Sequence, residues 1–340
     1  MNDWLKEMPG PAVLVTVARV EGSAPREPGT KMLVTAHALR DTIGGGHLEL
    51  RAIEISRAML ANGAAAVKYQ RFGLGPSLGQ CCGGVVWLAF EPVTAELAQV
   101  MTTLRTNPRT DYWRLAATEG APRNALFDAD GNLVAGDAGA PRTFARTRSA
   151  IVTKDGWLVD PVLAPRAHLV LFGAGHVGAA IVRALAGLPC TVTWVDERDA
   201  MFPATMPDNA AIEATDTPEA VVAQAPAGSS YLVMTHSHAL DERLSAAILA
   251  RAADRGDVGW FGLIGSKTKR LQFERRLLAR GCDARQIAAM VCPIGLPGIV
   301  DKAPAVIAAS VAAQLLMTWE AQAHAAAASF AQRRPVLLEN

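Results

Sequence analysis

The feature that most constrains the fold is the strict alternation of apolar runs and helix-forming segments after residue 168. Runs such as LVLF and YLVM are apolar at consecutive positions, as expected of strands that are buried on both faces of a parallel sheet. Helices are expected from about His176, from Pro218 with Thr217 as N-cap, and from about Leu240. The pattern predicts an α/β domain with a parallel sheet over residues 168–320.

A glycine fingerprint follows the first of these strands. Gly173, Gly175 and Gly178 form G-x-G-x-x-G at the start of the helix that His176 opens, and Asp196 ends the next strand. The glycines allow a tight turn and a close backbone approach to a phosphate, and the helix N-terminus favours an anion. The context predicts a Rossmann-like domain that binds a phosphate or nucleotide through these five residues. The alternative is that the glycines serve helix–strand packing alone.

Two histidines stand at the expected end of the third parallel strand, in THSHALD. His236 and His238, at a spacing of two, point to opposite faces unless the strand bends there. Together with Asp241 they suggest a metal site or acid–base chemistry. The alternative is that one histidine hydrogen-bonds nearby backbone.

The fourth strand ends in GLIGSKTKR, at the same edge of the sheet. Ser266 and Lys267 follow a glycine turn at a helix start, a combination that suits an anion. Lys269 and Arg270 are also typical of a solvated helix face.

The preceding residues, 1–158, predict a smaller α+β domain. A strand (AVLVTVARV), a turn, a second strand (KMLVTA), a glycine turn, a helix and a strand after CCGG follow one another. Residues 94–156 predict a helix and short strands, with DADGN at 128–132 as a hairpin turn. The proline-bearing segment 159–167 is expected to be the linker, and 321–340 an alanine-rich tail.

Two loops of the N-terminal domain combine glycines with polar residues. GSAPREPGTKM contains Arg26 and Lys31, and TIGGGHLE contains Gly44, Gly45, Gly46, His47 and Glu49. Three consecutive glycines before a helix expose backbone amides that can hold an oxyanion. The alternative is a tight turn with a polar cap.

A pair of cysteines is the third candidate in this domain. Cys81 and Cys82 precede Gly83 and Gly84, and the chain has five cysteines in all. Adjacent cysteines are poorly placed to chelate one zinc, and no second pair completes a structural zinc site. One thiolate could instead meet a soft metal, a persulfide or an acyl group, unless both thiols are simply buried.

Composition excludes some classes of protein. The 340 residues are 50% hydrophobic and carry a formal net charge of +1, so nucleic acid or an anionic membrane is not an expected partner. The N-terminus does not resemble a signal peptide, and the uncharged segment 303–319 of the chain is better explained as a buried helix than as a membrane span. An odd number of cysteines favours reduced thiols and the cytoplasm.

Taken together, the motifs resemble those of the XdhC/CoxI family of xanthine dehydrogenase accessory proteins. The resemblance rests on GSAPREPGTKM, TIGGGHLE, GQCCGG, VLFGAGHVG, VTWVDER, MTHSHALD and GLIGSKTKR in this order. It implies a non-enzymatic chaperone that binds molybdenum cofactor, protects it while a cysteine desulfurase installs the terminal sulfido ligand, and delivers it to apo xanthine dehydrogenase. It also implies that Cys81 or Cys82 holds the cofactor, with the cysteine sulfur as a ligand of molybdenum.

Two other functions fit the same motifs. An NAD(P)-dependent oxidoreductase would use His236 or His238 as acid–base and Lys267 near a carboxylate substrate. A structural scaffold for enzyme assembly would bind partners without a ligand. In each case we expect a homo-oligomer, because apolar two-domain chains often bury a surface between copies.

Overall fold

The computed structural model describes residues 3–6, 10–63, 65–74, 83–165 and 167–332, with side chains of the last helix to residue 325. The chain divides into two units, Met1–Ala164 and Pro165–Asn340.

The first unit contains two antiparallel sheets. The strands of sheet A are β1 (Ala12–Glu21), β2 (Lys31–Thr35), β3 (Leu39–Asp41), β4 (Lys68–Gly73) and β5 (Val85–Pro92), in the order β3-β2-β1-β5-β4. The strands of sheet B are β6 (Tyr112–Ala117), β7 (Asn124–Phe127), β8 (Leu133–Gly136), β9 (Ile151–Val152) and β10 (Trp157–Val162), in the order β8-β7-β6-β10-β9. Two helices, α1 (Gly46–Ala61) and α2 (Ala95–Thr106), complete the unit.

Strand β1 is buried on both faces, since residues 12–18 are all inaccessible to solvent. Its residues Val13, Val15 and Val17 pack with α1, whereas Leu14 packs with α2 and with Leu126 of sheet B. The apolar run AVLVTVA, residues 12–18, therefore lies between two layers, one that contains α1 and one that contains α2 and part of sheet B.

The hairpin predicted at 128–132 is confirmed, because β7 and β8 pair on either side of it. The segment predicted as the linker, 159–167, contains the division between the two units, but much of it is strand. Residues 159–162 belong to β10 and pair with β6, and β11 begins at Ala167. Pro161 is tolerated because β9 pairs only with Leu158 and Val159, so one side of the strand is open at the proline.

The second unit is built on a parallel sheet, sheet C. Its strands are β11 (Ala167–Phe172), β12 (Cys190–Asp196), β13 (Ala210–Ala214), β14 (Ser230–Val233) and β15 (Trp260–Leu263), in the order β13-β12-β11-β14-β15. This is the strand order of a Rossmann fold, so the predicted fold class is confirmed. The sequence analysis missed β13, and THSHALD therefore follows the fourth strand of the domain rather than the third.

Helices cover both faces of sheet C. They are α3 (His176–Ala184), α4 (Pro218–Gln224), α5 (His238–Arg255), α6 (Lys267–Ala279), α7 (Ala284–Ala289) and α8 (Pro304–Gln332). One core contains α3 and α8, and the core on the opposite face contains α4, α5, α6 and α7.

Helix α8 differs from two expectations, a tail over 321–340 and a buried helix over 303–319. It continues through the alanine-rich segment to Gln332, so the predicted tail is helical over 321–332. Within the described residues, Pro304–Ala325 is the stretch long and apolar enough to span a membrane by length and composition, with a mean hydropathy of 1.2. Val311 and Leu315 pack in the core while Met317 is 64% exposed, so one face of the helix is buried and the other is open.

Candidate functional site

The three glycines of the loop between β11 and α3 differ in the space around them. Gly173 has φ +118°, and a Cβ there would overlap the carbonyl oxygen of Met234. A Cβ on Gly178 would overlap the carbonyl oxygen of Gly173. At Gly175, in contrast, a Cβ would meet nothing within 4 Å. Packing therefore explains the first and third glycines, whereas the open space at the second one fits a ligand that approaches the backbone.

Asp196, at the end of β12, is tied to this loop. One carboxylate oxygen accepts from the Ala174 amide at 2.6 Å and from Nη2 of Arg198 at 3.0 Å. The other accepts from the Arg198 amide at 3.0 Å and from its Nε at 2.9 Å. Burial opposes ionisation, but the Arg198 guanidinium and the Ala174 amide outweigh it and hold the pKa of Asp196 below its usual range.

A small pocket, about 10 Å³ in volume, lies where the strand order reverses, between the carboxyl ends of β11 and β14. This is the position at which open α/β sheets bind ligands. The residues that line it are Phe172, Gly173, Val195, Asp196, Glu197, Pro218, Thr235, His236, Leu240 and Leu244. The pocket thus joins three of the residues predicted from sequence, Gly173, Asp196 and His236. The sequence analysis missed Glu197, Thr235 and Arg198. The charged sequence DER, residues 196–198 at the end of a strand, was a usable signal for Glu197 and Arg198.

The two histidines do not form a metal site with Asp241. His236 and His238 are exposed, and neither ring has a hydrogen-bond partner in the part of the chain that the structure describes. Asp241 is fully buried and accepts from the amide and hydroxyl of Thr235 at 2.9 and 2.8 Å. Among the described residues, no group of three histidine, cysteine or acidic side chains could hold a metal ion.

After β15, the lysine that hydrogen-bonds to the rest of the unit is Lys269 rather than the predicted Lys267. Its ammonium group donates to Asp241 at 2.7 Å and to the carbonyl of Ile264 at 2.9 Å. The pair joins the loop after β14 to the start of α6. Ser266 is the N-cap of α6 and accepts from the Lys269 amide at 3.2 Å, while Lys267 is exposed.

The helix-face expectation fails for Arg270 as well. Its guanidinium donates to Glu274 at 2.7 Å and to carbonyl groups at the end of α7, including that of Ile287 at 3.3 Å. Arg270 therefore closes the C-terminal end of α7. His176 at the start of α3 is exposed, with the open space of Gly175 next to it.

The glycine motifs of the first unit meet at one end of sheet A. A Cβ on Gly84 would overlap the carbonyl oxygen of Ser23, so the start of β5 lies against the loop after β1. A Cβ on Gly44 would reach Pro25 and Arg26, so the TIGGG turn lies against the same loop. Arg26 is exposed there. Ser23 and Gly84 are 61 positions apart in the sequence, and the fold of sheet A brings them together.

The glycine turn already holds an anion of its own. The Glu49 carboxylate accepts from the amides of Ile43 at 3.0 Å and Gly45 at 3.1 Å, and also from the hydroxyl of Thr42. Of the two expectations for this turn, the polar cap is the one the structure contains. An oxyanion could use these amides only if Glu49 moved away. Gly46 and His47, at the first turn of α1, are exposed.

Lys31 does not face a ligand site. Its side chain is 6% exposed and donates to Asp160 of β10 at 2.8 Å. Asp160 also accepts from Arg114 at 2.9 Å, and Arg114 donates to Glu91 at 2.8 Å. Burial lowers the pKa of Lys31, and the charge of Asp160 opposes that shift. Lys31 thus belongs to a buried charge network between sheets A and B, which sequence patterns did not reveal.

Two family models match the chain. The model described as the XdhC and CoxI family matches residues 5–73, and the model described as the XdhC Rossmann domain matches residues 169–315. Together they cover more than half of the chain and reach both units. The chain belongs to the XdhC and CoxI family. The resemblance seen in the sequence is thereby confirmed.

A solved structure is similar to this XdhC and CoxI protein in fold. The crystal structure of a xanthine dehydrogenase from Bacillus halodurans has a TM-score of 0.74 and 20% identity, covering 94% of each chain. At this identity the likeness concerns the fold alone. None of the curated proteins matches the chain. The XdhC family is a family of accessory proteins, the class expected from the sequence.

The cysteines expected to matter most in this family, Cys81 and Cys82, lie outside the described residues. Gly83, which follows them, is exposed, and Gly84 is held against Ser23. The three described cysteines, Cys190, Cys282 and Cys292, are free thiols. Burial raises the pKa of each of them, to about 11 for Cys190, so none is primed as a thiolate ligand.

Proposed function

We propose that this protein is a xanthine dehydrogenase accessory protein that carries molybdenum cofactor as its cargo. It protects the cofactor while a cysteine desulfurase partner installs the terminal sulfido ligand, and then delivers it to the apo form of xanthine dehydrogenase. The observation that carries the proposal is the family match, which spans both units. We also propose that it acts in the cytoplasm as a homo-oligomer.

The end of sheet A is the proposed cargo site. The loop after β1, the TIGGG turn and the start of β5 meet there, and Cys81 and Cys82 immediately precede the start of β5 in the chain. A thiolate is a soft ligand that suits molybdenum bound to sulfur, and one such contact can be released. A carrier has to release its cargo, because very tight binding would prevent delivery.

The anionic end of the cargo needs a cation, since the amides of the glycine turn are occupied. Arg26 is exposed beside Gly44, and His47 is exposed at the start of α1. We propose that these two side chains, rather than the amides that Glu49 occupies, meet the phosphate of the cofactor. Lys31 is excluded from this role by its buried ion pair with Asp160.

Metal and pterin analysis of the purified full chain tests the proposal. Protein expressed in cells that make molybdopterin is expected to retain molybdenum and pterin and to activate apo xanthine dehydrogenase. The double variant Cys81→Ala/Cys82→Ala should lose both properties, whereas the matched control Cys282→Ala should keep them. A double variant that retains and delivers the cofactor as well as wild type would contradict the proposal, and partner binding without any ligand would favour a scaffold instead.

The second candidate is an NAD(P)-dependent oxidoreductase. The Rossmann strand order and the open space at Gly175 favour it, because both are typical of dinucleotide-binding domains. His236 lines the pocket at the strand reversal and would be the acid–base residue. Steady-state oxidation of NADH or NADPH with small carbonyl substrates, abolished in His236→Asn, would support this function. Binding without turnover would leave the accessory function as the better explanation.

A further inference from the structure

We propose that the face of sheet A around Trp87 is a docking surface for an acidic segment of the enzyme that receives the cargo. Arg19 and Arg71 flank Trp87 on this face, and we call the three side chains the Arg–Trp–Arg row. The inference rests on the proposed function, because it identifies the surface through which the carrier would meet its partner.

The Arg–Trp–Arg row crosses three neighbouring strands of sheet A. Arg19 of β1 and Arg71 of β4 both pair with Trp87 of β5, so the three side chains lie side by side. The guanidinium carbon of Arg19 lies 4.8 Å from the centroid of the indole ring, and that of Arg71 lies 5.8 Å from it. Both distances are within the range of cation–π attraction. The ring therefore positions two cations on this face.

A β-bulge in β1 brings Arg19 into the row. The register of β1 on β5 shifts between Val17 and Arg19, so that Arg19 lies opposite Trp87. Without the extra residue, Arg19 would lie opposite Val86, whose side chain packs in the core with α1. The bulge thus turns a cation away from the apolar core and towards Trp87, as bulges near functional sites commonly do.

The row lies just beyond the area that sheet B covers. On the same face of sheet A, Tyr69 and Ala89 pack with residues of sheet B. Trp87 is two positions from Ala89 on β5 and is half-buried, whereas Arg19 and Arg71 are exposed. The face therefore continues past its cover as an open patch with an aromatic centre and charged flanks.

The guanidinium of Arg71 gives the patch a positive charge. Arg19 forms an ion pair with Glu21, so its charge is balanced. Arg71 contacts the Trp87 ring and makes no hydrogen bond or ion pair with the residues that the structure describes. Lys68, on the same edge strand, is also exposed. Because the N–H donors of a guanidinium match both oxygens of a carboxylate, the patch is complementary to acidic side chains.

The composition of the patch favours a protein partner over a small ligand. Trp, Tyr and Arg are enriched at the hot spots of protein–protein interfaces, and charged side chains at the rim steer association. Small molecules bind mainly in concave sites, whereas Arg19 and Arg71 are exposed on the open face of a sheet. An acidic segment that covers the Trp87 ring and pairs with Arg71 fits these features.

The patch also lies next to the proposed cargo site. Trp87 is three residues after Gly84 on β5, which is about 10 Å at the rise of a β-strand. Gly84 is held against Ser23 in the loop after β1, where the cargo site is proposed. A partner docked on the row would therefore have its own surface close to the cargo, as transfer between two proteins requires.

The test measures binding of the full-length protein to apo xanthine dehydrogenase by biolayer interferometry, at low and at high salt. Arg71→Glu and Trp87→Ala should each weaken the association at least about tenfold, because they remove the open cation and the aromatic centre. Arg71→Glu should also reduce its salt dependence. The matched control Arg109→Glu should bind like wild type, since Arg109 is exposed near Tyr112, which packs with Ala12 at the opposite end of β1.

Molybdenum content separates this inference from the proposed function. Arg71→Glu should melt like wild type, retain as much molybdenum, and activate the apo-enzyme more slowly, because Arg71 is exposed and outside the cargo site. The inference is overturned if wild type does not bind the apo-enzyme, if both variants bind it as tightly as wild type, or if Arg71→Glu loses molybdenum, which would assign the row to the cargo site. Wild type that binds the apo-enzyme through the row but retains no molybdenum would support the docking surface and contradict the proposed function.

Discussion

Replacement of Arg114 by methionine is expected to destabilise the first unit severely. Arg114 is fully buried, and all five of its N–H donors are used. Nε donates to Asp160 at 2.9 Å, and the two terminal nitrogens donate to Glu91 at 2.8 and 3.0 Å. They also donate to Asn124 at 2.7 Å and Thr16 at 3.4 Å. These partners come from both sheets, so the guanidinium joins the sheets face to face.

The expected magnitude follows from the charges that remain. Wild type buries two cations, Lys31 and Arg114, against two anions, Glu91 and Asp160. Arg114→Met leaves one negative charge without a partner in the interior. Removal of one member of a buried ion pair costs about 3–5 kcal/mol in the free energy of unfolding. That corresponds to a loss of amide protection by about two to nearly four orders of magnitude where exchange requires unfolding of the unit.

Hydrogen exchange followed by mass spectrometry is the suitable assay, because it reports on each unit separately. Peptides from sheets A and B should lose protection in Arg114→Met, and peptides from sheet C serve as an internal control. The double variant Arg114→Met/Glu91→Gln leaves only the balanced pair of Lys31 and Asp160, so it should recover part of the lost stability. The reasoning is refuted if the single variant stays within about 1 kcal/mol of wild type, or if the double variant is less stable than the single one.

Three further predictions concern the second unit. The folded state holds the pKa of Asp196 below its usual range, so the ionised carboxylate stabilises the fold above about pH 4 and this contribution is lost as the pH falls. In acid unfolding, Asp196→Asn should remove this pH dependence. Lys269→Met should lower the free energy of unfolding by about 3 kcal/mol, since it leaves a buried carboxylate unpaired, whereas Lys267→Met should change it by less than about 0.5 kcal/mol. Gly173→Ala should prevent stable folding of the unit, whereas Gly175→Ala should melt like wild type and bind NADH more weakly.

The Rossmann domain was predictable because its signals are local. Apolar strands, the glycine fingerprint and helix starts each occupy fewer than about ten consecutive residues, and each reports directly on backbone conformation. Strand β13 was missed for the same reason, since its sequence AAIEA is short, rich in alanine and almost entirely exposed. It is a strand because β12 offers an edge to pair with, which the segment itself does not indicate.

The candidate site was predicted less well than the fold. The sequence identified the loops that carry polar residues, and the structure brings three of them together at the end of sheet A. The sequence did not identify which polar groups already have hydrogen-bond partners within the chain. Glu49 occupies the amides of the glycine turn, and Arg198 occupies Asp196, so two of the expected ligand groups are committed to partners within the chain.

The sequence by itself determined the parallel sheet and the positions of the glycine turns, because short local patterns of apolar residues and glycines indicate both. Only the tertiary structure decided which charges are buried in pairs and which remain open to a ligand. Lys31 and Asp160 are 129 positions apart, and no local pattern links them. Electrostatic interactions depend on distance in space and on burial, and both exist only once the sheets have packed.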